Sequence, residues 1–432
     1  MFLRTFFPLI FIVSLFDGFF SNLFYPSNWA LLAKDILIVL VYFLFFMQEH
    51  VGQWFHRFRL MLGTGTWLFA VAFVFLGVLQ IFNPLSPGLI VGLLGFKVMF
   101  LYWALALLGC AYADNLPRVV RFLKLIAYCS VPINLFGLWQ FVKGPEVLLE
   151  HFGMGFERAI TLAHLGAKAG TEGIETFLRV IATFASTGQY SAFLGINAIF
   201  CFALLFLSRS TPEKMIWSLV NVLNFVAMLA AGGRTSLVLL VLTVILFIPM
   251  ARRGRQVIGI SLLMASGLYF GFSWLGSGVK ARYQTLQELG SIQERTFGTT
   301  LAMFSESLER YPMGKGMGSA SPATRYLSGM EGQAYELVED NDSKIQIEMG
   351  LAGVVLFYGF IICLLRRWFA TWLHFPDPDT EVVGYLLTAY CVVQFTIVGF
   401  IGILDHPPGA VFLWALFGIV MGLSSAFPRD LQ

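Results

Sequence analysis

Long apolar stretches separated by shorter polar ones dominate the chain and predict a bundle of membrane-spanning helices. A span needs about 20 mostly apolar residues, because the hydrocarbon layer is about 30 Å thick and a helix rises about 1.5 Å per residue. Helices are predicted rather than strands, since an unclosed strand would leave backbone groups unpaired in lipid. Twelve stretches are predicted to span: 5–23, 29–47, 66–83, 88–111, 120–141, 187–207, 214–231, 235–250, 256–275, 345–365, 382–403 and 407–425.

The composition agrees with an all-α polytopic membrane protein. Hydrophobic residues make up 58% of the chain and charged residues 12%, far from the balance of a soluble domain. The first stretch, MFLRTFFPLIFIVSLF, also has features of a signal peptide, but no small-residue cleavage site follows it, so we interpret it as a spanning helix. The net charge of +3 gives no reason to expect a nucleic-acid partner. The five cysteines fall in apolar stretches and are interpreted as small hydrophobic residues.

The short loops predict the orientation of the chain. Lys and Arg concentrate in alternate loops, whereas the opposite short loops, 21–28, 83–88 and 405–409, contain none. Loops rich in Lys and Arg stay in the cytoplasm, so both termini are predicted to be cytoplasmic. The basic residues of the predicted cytoplasmic loops are Arg57, Arg59, Arg118, Arg121, Lys124, Arg209, Lys214, Arg366 and Arg367, with ARRGR at 251–255.

Two long stretches, 143–186 and 277–343, interrupt the helical pattern, and the topology places both outside the cytoplasm. The larger one lies between the ninth and tenth predicted helices. Loops of this length in a compact protein are usually functional or disordered, and these two keep aliphatic and aromatic residues among their charges. We therefore interpret 1–432 as a single transmembrane domain with two extracytoplasmic loops. The chain has no convincing internal repeat, which disfavours a transporter made of two related halves.

Two arginines lie at predicted outer helix ends. Arg234 follows a double glycine in AAGGRTSLVLLVL (230–242), and its guanidinium suits a phosphate or pyrophosphate. The alternative is an interfacial arginine that reaches the lipid headgroups. Arg179 opens RVIATFASTGQYSAFL (179–194), whose Ser186 and Gln189 place polar groups at a helix start. Such a start can bind an anion, but simple helix capping explains it as well.

The larger loop contains ERYPMGKGMGSAS (309–321), in which Gly314, Gly316 and Gly318 alternate around Lys315. We expect a flexible backbone that can approach a ligand closely, although an alternating-glycine run is more often only a loop.

Several carboxylates precede the tenth predicted span in ELVEDNDSKIQIEMGLAGVV (336–355). Glu339, Asp340, Asp342 and Glu348 lie close together in sequence, and neighbouring carboxylates raise one another's pKa, so one of them can act as a general base toward a hydroxyl group. A solvated acidic cap at a helix start is the alternative, and Asp342 followed by Ser343 fits a cap.

Charged residues inside predicted spans are costly unless they are paired or face a cavity. Lys34 and Asp35 lie in the second span and Lys97 in the fourth, and we predict a pair between Asp35 and Lys97. These charges support an alternative function as a transporter or flippase for an amphipathic solute. An ion path would normally use more such groups on more helices.

The order of these features resembles the O-antigen ligase and Wzy-type polysaccharide polymerase superfamily of bacterial inner membranes. The resemblance covers about residues 179–355. RVIATFASTGQYSAFL is similar to the family's segment with Arg, then Thr-Phe, then a polar pair, and GGRTSLVLL to its arginine-led helix. RYPMGKGMG is similar to its P-x-G-x-G-x-G loop, and EDNDSKIQIEMGLAG to its segment ending in E-x-G-x-x-G.

The resemblance implies glycosyl transfer at the periplasmic face of the inner membrane, from a saccharide on undecaprenyl pyrophosphate, without nucleotide sugar, cofactor or metal. Carried over by position, Arg179 and Arg234 would hold the pyrophosphate together with Lys315. The acidic segment, with Glu339, Asp340 and Asp342, would orient or deprotonate the acceptor hydroxyl. Attack from the opposite face would invert the anomeric centre. A chain-length regulator is a further expected partner.

The chain departs from the family in one respect. Ligases of the family carry a catalytic histidine where this chain has Asp340 and Asn341. The resemblance therefore favours a polymerase of surface or exopolysaccharide repeat units over an O-antigen ligase that acts on lipid A-core. The nearest substitutes for the imidazole are His406, His151 and His164, each of which is more simply a structural histidine at the membrane interface.

Overall fold

A computed structural model of the chain describes most of its helices. The described residues are 2–25, 29–48, 50–144, 146–157, 160–161, 179–250, 264–269, 299–320, 340–371, 374–400 and 408–424, with Gly259, Gly271, Ser273, Tyr283, Gly402 and Leu404.

Helices account for the regular structure of this part of the chain, in which no β-strand occurs. They are α1 (Phe2–Leu23), α2 (Trp29–Phe46), α3 (Val51–Leu62), α4 (Thr64–Ile81), α5 (Leu89–Phe100), α6 (Leu105–Tyr112), α7 (Leu116–Lys143), α8 (Val147–Phe152), α9 (Thr187–Leu207), α10 (Thr211–Ala231), α11 (Arg234–Phe247), α12 (Thr299–Arg310), α13 (Asn341–Thr371), α14 (Pro378–Ile397) and α15 (Gly409–Leu423). Single 3-10 turns occupy Met154–Phe156, Ile248–Met250 and Val398–Phe400.

Eight helices of the described chain are long and apolar enough to cross a membrane, which confirms an all-α membrane protein. They are Leu3–Leu23, Thr64–Ile81, Leu89–Tyr112, Leu116–Lys143, Thr187–Leu207, Thr211–Ala231, Asn341–Phe369 and Pro378–Ile397. Two shorter apolar helices, Arg234–Phe247 and Gly409–Leu423, match predicted spans as well. The predicted span 256–275 lies mostly outside the described residues, so the total of twelve stays a prediction.

The centre of the bundle is built around α15, whose side chains are all buried. It packs closely against α6 through small residues. A Cβ atom built on Gly418 would lie 1.9 Å from the carbonyl oxygen of Ala106, and one on Gly422 would lie 2.5 Å from that of Cys110. Because apolar side chains gain little by leaving lipid, such close backbone approach through small residues is a main source of helix association in membranes.

Contacts between helix ends define two faces of the bundle. Residues from the basic loops meet at one end, which we call the basic face: Arg209 pairs with Asp379, Lys124 pairs with Glu213, and the side chain of Arg367 packs against Gly63. The start of α11 lies at the opposite end, which we call the site face. The basic loops that the structure describes thus share one face, as the sequence predicts, whereas ARRGR at 251–255 lies outside the described residues. The compartment that each face meets stays a prediction.

A non-helical segment, 180–186, enters the bundle from the site face between α1 and α7. Thr183 bridges two backbone groups of α1, since its Oγ1 donates to the carbonyl of Leu15 at 2.6 Å and its carbonyl accepts from the N–H of Phe19 at 2.8 Å. The side-chain amide of Gln140 bonds both backbone groups of Ala182, at 3.0 and 3.1 Å. Irregular backbone at membrane depth is tolerated only where protein buries it, and these contacts supply that burial.

Helix α13 folds back on itself at Gly350, where φ is 70° and ψ is −171°. The hydroxyl of Tyr358 lies 2.7 Å from Asp342, although 16 residues separate them, which would put them about 24 Å apart in a straight helix. The stretch 341–349 therefore forms a helical hairpin with the stretch after Gly350. The predicted span 345–365 falls on an apolar helix long enough to cross a membrane, but the helix is not continuous, because the backbone turns at Gly350.

Candidate functional site

The double glycine before α11 forms a tight turn that positions Arg234. Gly232 ends α10 in the left-handed conformation, with φ of 66°. Gly233 packs directly against α9, because a Cβ atom built on it would lie 2.2 Å from the Cβ and Oγ atoms of Ser191. Both glycines are thus required by the backbone, and Arg234 becomes the first residue of α11 at the site face.

The same turn receives Arg179, whose Nε donates to the carbonyl of Ala231 at 3.4 Å. Burial lowers the pKa of the Arg179 guanidinium, Tyr283 acts in the opposite direction, and the positive charge of Arg234 lowers it further. Tyr283 belongs to the loop 277–343 and donates its hydroxyl to the carbonyl of Met228 at 3.3 Å. The structure therefore brings together two arginines, 55 positions apart in the sequence, with a tyrosine of the larger loop.

The polar start of α9 is a helix cap. Ser186 is the N-cap residue and accepts from the N–H of Gln189 at 3.3 Å. The amide oxygen of Gln189 accepts from the N–H of Ala185 at 3.2 Å. Both side chains thus satisfy backbone donors at the helix start, which is the capping alternative of the sequence analysis.

The carboxylates of the acidic segment have different hydrogen-bond partners. Asp340 caps α13, since its Oδ1 accepts from the N–H of Ser343 at 2.7 Å. The carboxylate that accepts from this backbone N–H is therefore Asp340, and not Asp342, the residue named in the capping alternative. Asp342 accepts from the Tyr358 hydroxyl with both oxygens, at 2.7 and 2.8 Å. Gly399 backs this pair, because a Cβ atom there would lie 2.5 Å from either oxygen of Asp342.

Asp342 lies well below the site face. The ring of Phe357, next to Tyr358, packs against Phe73, which is midway along α4, at 5.5 Å between ring centroids. Eight residues of helix separate Asp342 from Gly350, which corresponds to a depth of about 12 Å below the hairpin turn. Its side chain is half-buried between the buried Asn341 and Ser343, so it is the accessible member of this stretch.

The glycine-rich loop is held in place rather than flexible. Gly314, Gly316 and Gly318 have φ of 83°, 101° and 83°, a region that glycine adopts without strain. The N–H of Gly316 donates to the carbonyl of Glu348 at 3.2 Å, so the loop is tied to the hairpin. The loop also contacts the end of α4, where Gln80 donates to the carbonyl of Met313 at 2.9 Å. These contacts attach the loop to α4 and α13, and its close approach to a ligand stays a prediction.

Lys315 is part of this loop. Its ammonium is over the ring of Tyr311, 5.3 Å from the centroid, and its N–H donates to the carbonyl of Ile347 at 2.6 Å. Its role in binding a pyrophosphate stays a prediction.

Helix α14 connects the arginine pair with the acidic segment. It packs against α9 and α11, and the turn Val398–Phe400 that continues it packs against α13. Asn341 donates to the carbonyl of Val398 at 2.7 Å, which fixes the start of the hairpin to this turn. The start of the hairpin is thus fixed to the end of α14, and α14 itself packs against the two helices that flank the arginines, α9 and α11.

Some predicted residues fall elsewhere. Glu339, His164 and His406 lie outside the described residues. His151 is on α8, where its Nδ1 lies 3.0 Å from the carbonyl of Val147, a local contact that fits a structural histidine.

Sequence reasoning missed the residues that support the site. Tyr358 and Gln140 lie inside apolar helices, and Thr183 lies in a segment whose depth the sequence does not reveal. One available signal was a buried amide in a spanning helix, because such a group needs a partner at that depth. Gln140 is fully buried in α7 and has that partner in Ala182.

Four charged side chains on α1, α2 and α5 form a series of ion pairs, which we call the charge chain. Lys97 pairs with Asp35, which confirms the predicted pair. Lys34 pairs with Asp17 at 2.7 Å and lies 4.0 Å from Asp35. Tyr102 adds a hydrogen bond to Asp35 at 3.3 Å. Two positive and two negative charges therefore compensate one another within the membrane.

No protein-family model and no curated protein matches this chain.

Proposed function

We propose that this chain is an inverting glycosyltransferase that polymerises oligosaccharide repeat units carried on undecaprenyl pyrophosphate, at the periplasmic face of the bacterial inner membrane. The observation that carries the proposal is the meeting of Arg179 and Arg234 at the turn after α10.

A diphosphate explains why two guanidinium groups meet there. Arg179 and Arg234 are both half-buried, and Arg234 destabilises the charge of Arg179. Two positive charges held near each other attract an anion more strongly than either charge alone. The planar guanidinium matches phosphate oxygens with two parallel hydrogen bonds, so a pyrophosphate suits a pair of arginines. The polyprenyl chain of such a substrate remains in the lipid beside the helices.

The reaction breaks one bond and forms another. The acceptor hydroxyl oxygen attacks the anomeric carbon of the lipid-linked chain, and the bond from that carbon to the pyrophosphate oxygen breaks. Negative charge develops on the departing pyrophosphate, where the two arginines stabilise it. The acceptor proton passes to a carboxylate on the other side. Attack opposite the leaving group inverts the anomeric centre.

Asp342 is the best-placed carboxylate to take that proton. Asp340 already caps α13, whereas Asp342 is accessible and Tyr358 holds both of its oxygens in one orientation. A base fixed in this way needs little reorganisation when the acceptor binds. Glu339 stays a candidate from the sequence.

The test uses the purified protein with a lipid-linked repeat unit. We expect a ladder of products whose lengths increase by one repeat. Arg179→Ala and Arg234→Ala should each reduce the rate of ladder formation at least 100-fold, the scale of losing one transition-state donor. Arg209→Ala is the matched control, because Arg209 is a 90% exposed arginine at the basic face. Normal ladders from both site variants would refute the proposal.

A further inference from the structure

Helix α3 is a short amphipathic helix at the basic face, and no assigned activity uses it. Its inner stripe is buried: Phe58, Met61 and Leu62. The ring of Phe58 packs against Phe417 near the end of α15, at 6.2 Å between centroids. With 12 residues, α3 is too short to cross the hydrocarbon. It therefore lies at the membrane surface, between the end of α2 and the start of α4.

The outer side of α3 combines aromatic and basic groups. Phe55 is 42% exposed and Leu60 is 38% exposed. Arg59 is exposed next to them, and Arg57 stacks on the ring of Trp54 at 5.6 Å. The sequence of α3, VGQWFHRFRLML, contains no Asp or Glu. Apolar side chains beside arginines on an interfacial helix are the combination that binds the boundary between lipid headgroups and acyl chains.

A further arginine from α13 extends this surface. Gly63 ends α3 with φ of 78° and turns the chain into α4. The guanidinium of Arg367 lies against this turn, with Nε 3.5 Å from a Cβ atom built on Gly63. Arg59 is one helical turn before Gly63, and its carbonyl accepts the N–H of Gly63 at 3.1 Å. Two arginines from distant parts of the chain therefore flank one turn.

We infer that α3 and the turn at Gly63 form a binding surface for anionic phospholipids, with lipid phosphates at Arg59 and Arg367 on one side of the helix and at Arg57 on the other, and acyl chains beside Phe55 and Leu60. The charge of the surface selects the anionic headgroup, and its exposed apolar side chains select a lipid over a soluble phosphate. The inference is independent of the proposed glycosyl transfer.

Native mass spectrometry of the detergent-purified protein tests the inference. Phosphatidylglycerol should bind more tightly than phosphatidylcholine. Arg57→Gln/Arg59→Gln should weaken phosphatidylglycerol binding roughly 25-fold, since each basic residue near a lipid surface contributes about fivefold. Phosphatidylcholine binding should stay unchanged. The control is Arg209→Gln/Lys214→Gln, which removes two charges from the same face at another loop.

Three results of these binding measurements would overturn the inference. An unchanged preference in Arg57→Gln/Arg59→Gln overturns the inference, as does an equal loss in the control, which would mean that the whole face attracts lipid without a site. Displacement of the lipid by an equal concentration of glycerol phosphate would also overturn it. If the double variant does not fold, Phe55→Ser/Leu60→Ser keeps the charges, and it should lose the advantage of the lipid over glycerol phosphate.

Discussion

Among the described residues, Ala182 has a positive φ, of 49°, although it is not a glycine. This conformation costs an alanine about 1–2 kcal/mol. The two hydrogen bonds from Gln140 offset that cost, and Thr183 fixes the next residue to α1. Ala182 lies three residues after Arg179, so these bonds fix the backbone next to the residue that carries the guanidinium.

Thr183→Val removes the hydroxyl that donates to Leu15 while keeping the shape of the side chain. We expect the free energy of unfolding to fall by about 1 kcal/mol, the typical contribution of one hydrogen bond. Ladder formation should also fall, because the segment that carries Arg179 loses one of its attachments to α1. Thermal unfolding and the ladder assay measure the two effects.

Thr183→Ser is the matched control for that prediction, since it keeps the hydroxyl. It should retain most of both stability and ladder formation. If the valine and serine variants behaved alike, the hydrogen bond to Leu15 would have no role in positioning the segment.

At the scale of helices, the hairpin of α13 is the element that the sequence did not reveal. Its first arm carries Asn341, Lys344, Gln346 and Glu348, all buried. The hydrophobic pattern predicts a single span at 345–365, which runs across the turn at Gly350 and leaves Asn341 and Lys344 in the preceding loop. The polar side chains of the first arm are buried because two other segments cover it, the glycine-rich loop and the turn after α14. Those partners are remote in sequence, so local patterning cannot supply them.

Gly350→Ala should open the hairpin. The φ and ψ values of Gly350 belong to a region that is essentially restricted to glycine, where another residue costs about 1–3 kcal/mol. A Cβ atom there would also lie 2.6 Å from the carbonyl oxygen of Pro312. We expect loss of several kcal/mol of stability in thermal unfolding, with loss of ladder formation as Asp342 moves away from Tyr358.

Gly188→Ala provides the comparison for the hairpin variant. Gly188 lies in the first turn of α9, and a Cβ atom there would have only the Oγ of Ser186 near it, at 3.8 Å. This variant should leave stability within about 0.5 kcal/mol of the original protein, because alanine is the better helix former. Equal effects of the two substitutions would show that the backbone at Gly350 tolerates a side chain.

For the whole molecule, hydrophobic patterning predicted the helices and basic residues predicted which loops share a face. These properties follow from the thickness of the hydrocarbon and the cost of moving charge across it, so they are readable without tertiary contacts. The meeting of Arg179 with Arg234 depends instead on a turn, a close helix contact and a segment that enters the bundle. The sequence could propose the arginines as candidates, but only the fold brings them together.

The charge chain of α1, α2 and α5 separates the proposed enzyme from a transporter at this scale. If these four charges have only a structural role, Asp35→Asn should destabilise the protein, because it leaves Lys97 without its partner inside the membrane. The loss should fall below the 3–5 kcal/mol typical of a fully buried pair, since the side chain of Lys97 is 31% exposed. Asp35→Asn/Lys97→Met removes both charges of the pair and should recover much of the stability lost in Asp35→Asn. The ion pair between Lys34 and Asp17 is retained in this variant.

Activity measurements on the same double variant distinguish a structural role of these four charges from a role in transport. A protein whose charges serve only packing should still form the ladder at a rate within a fewfold of the original, whereas a transporter that moves solute past these groups should lose its activity. Lys124→Met is the control, because it breaks a partly exposed pair with Glu213 that contributes about 1 kcal/mol or less. Loss of the ladder in a stably folded double variant would link these charges to the reaction and contradict a purely structural role.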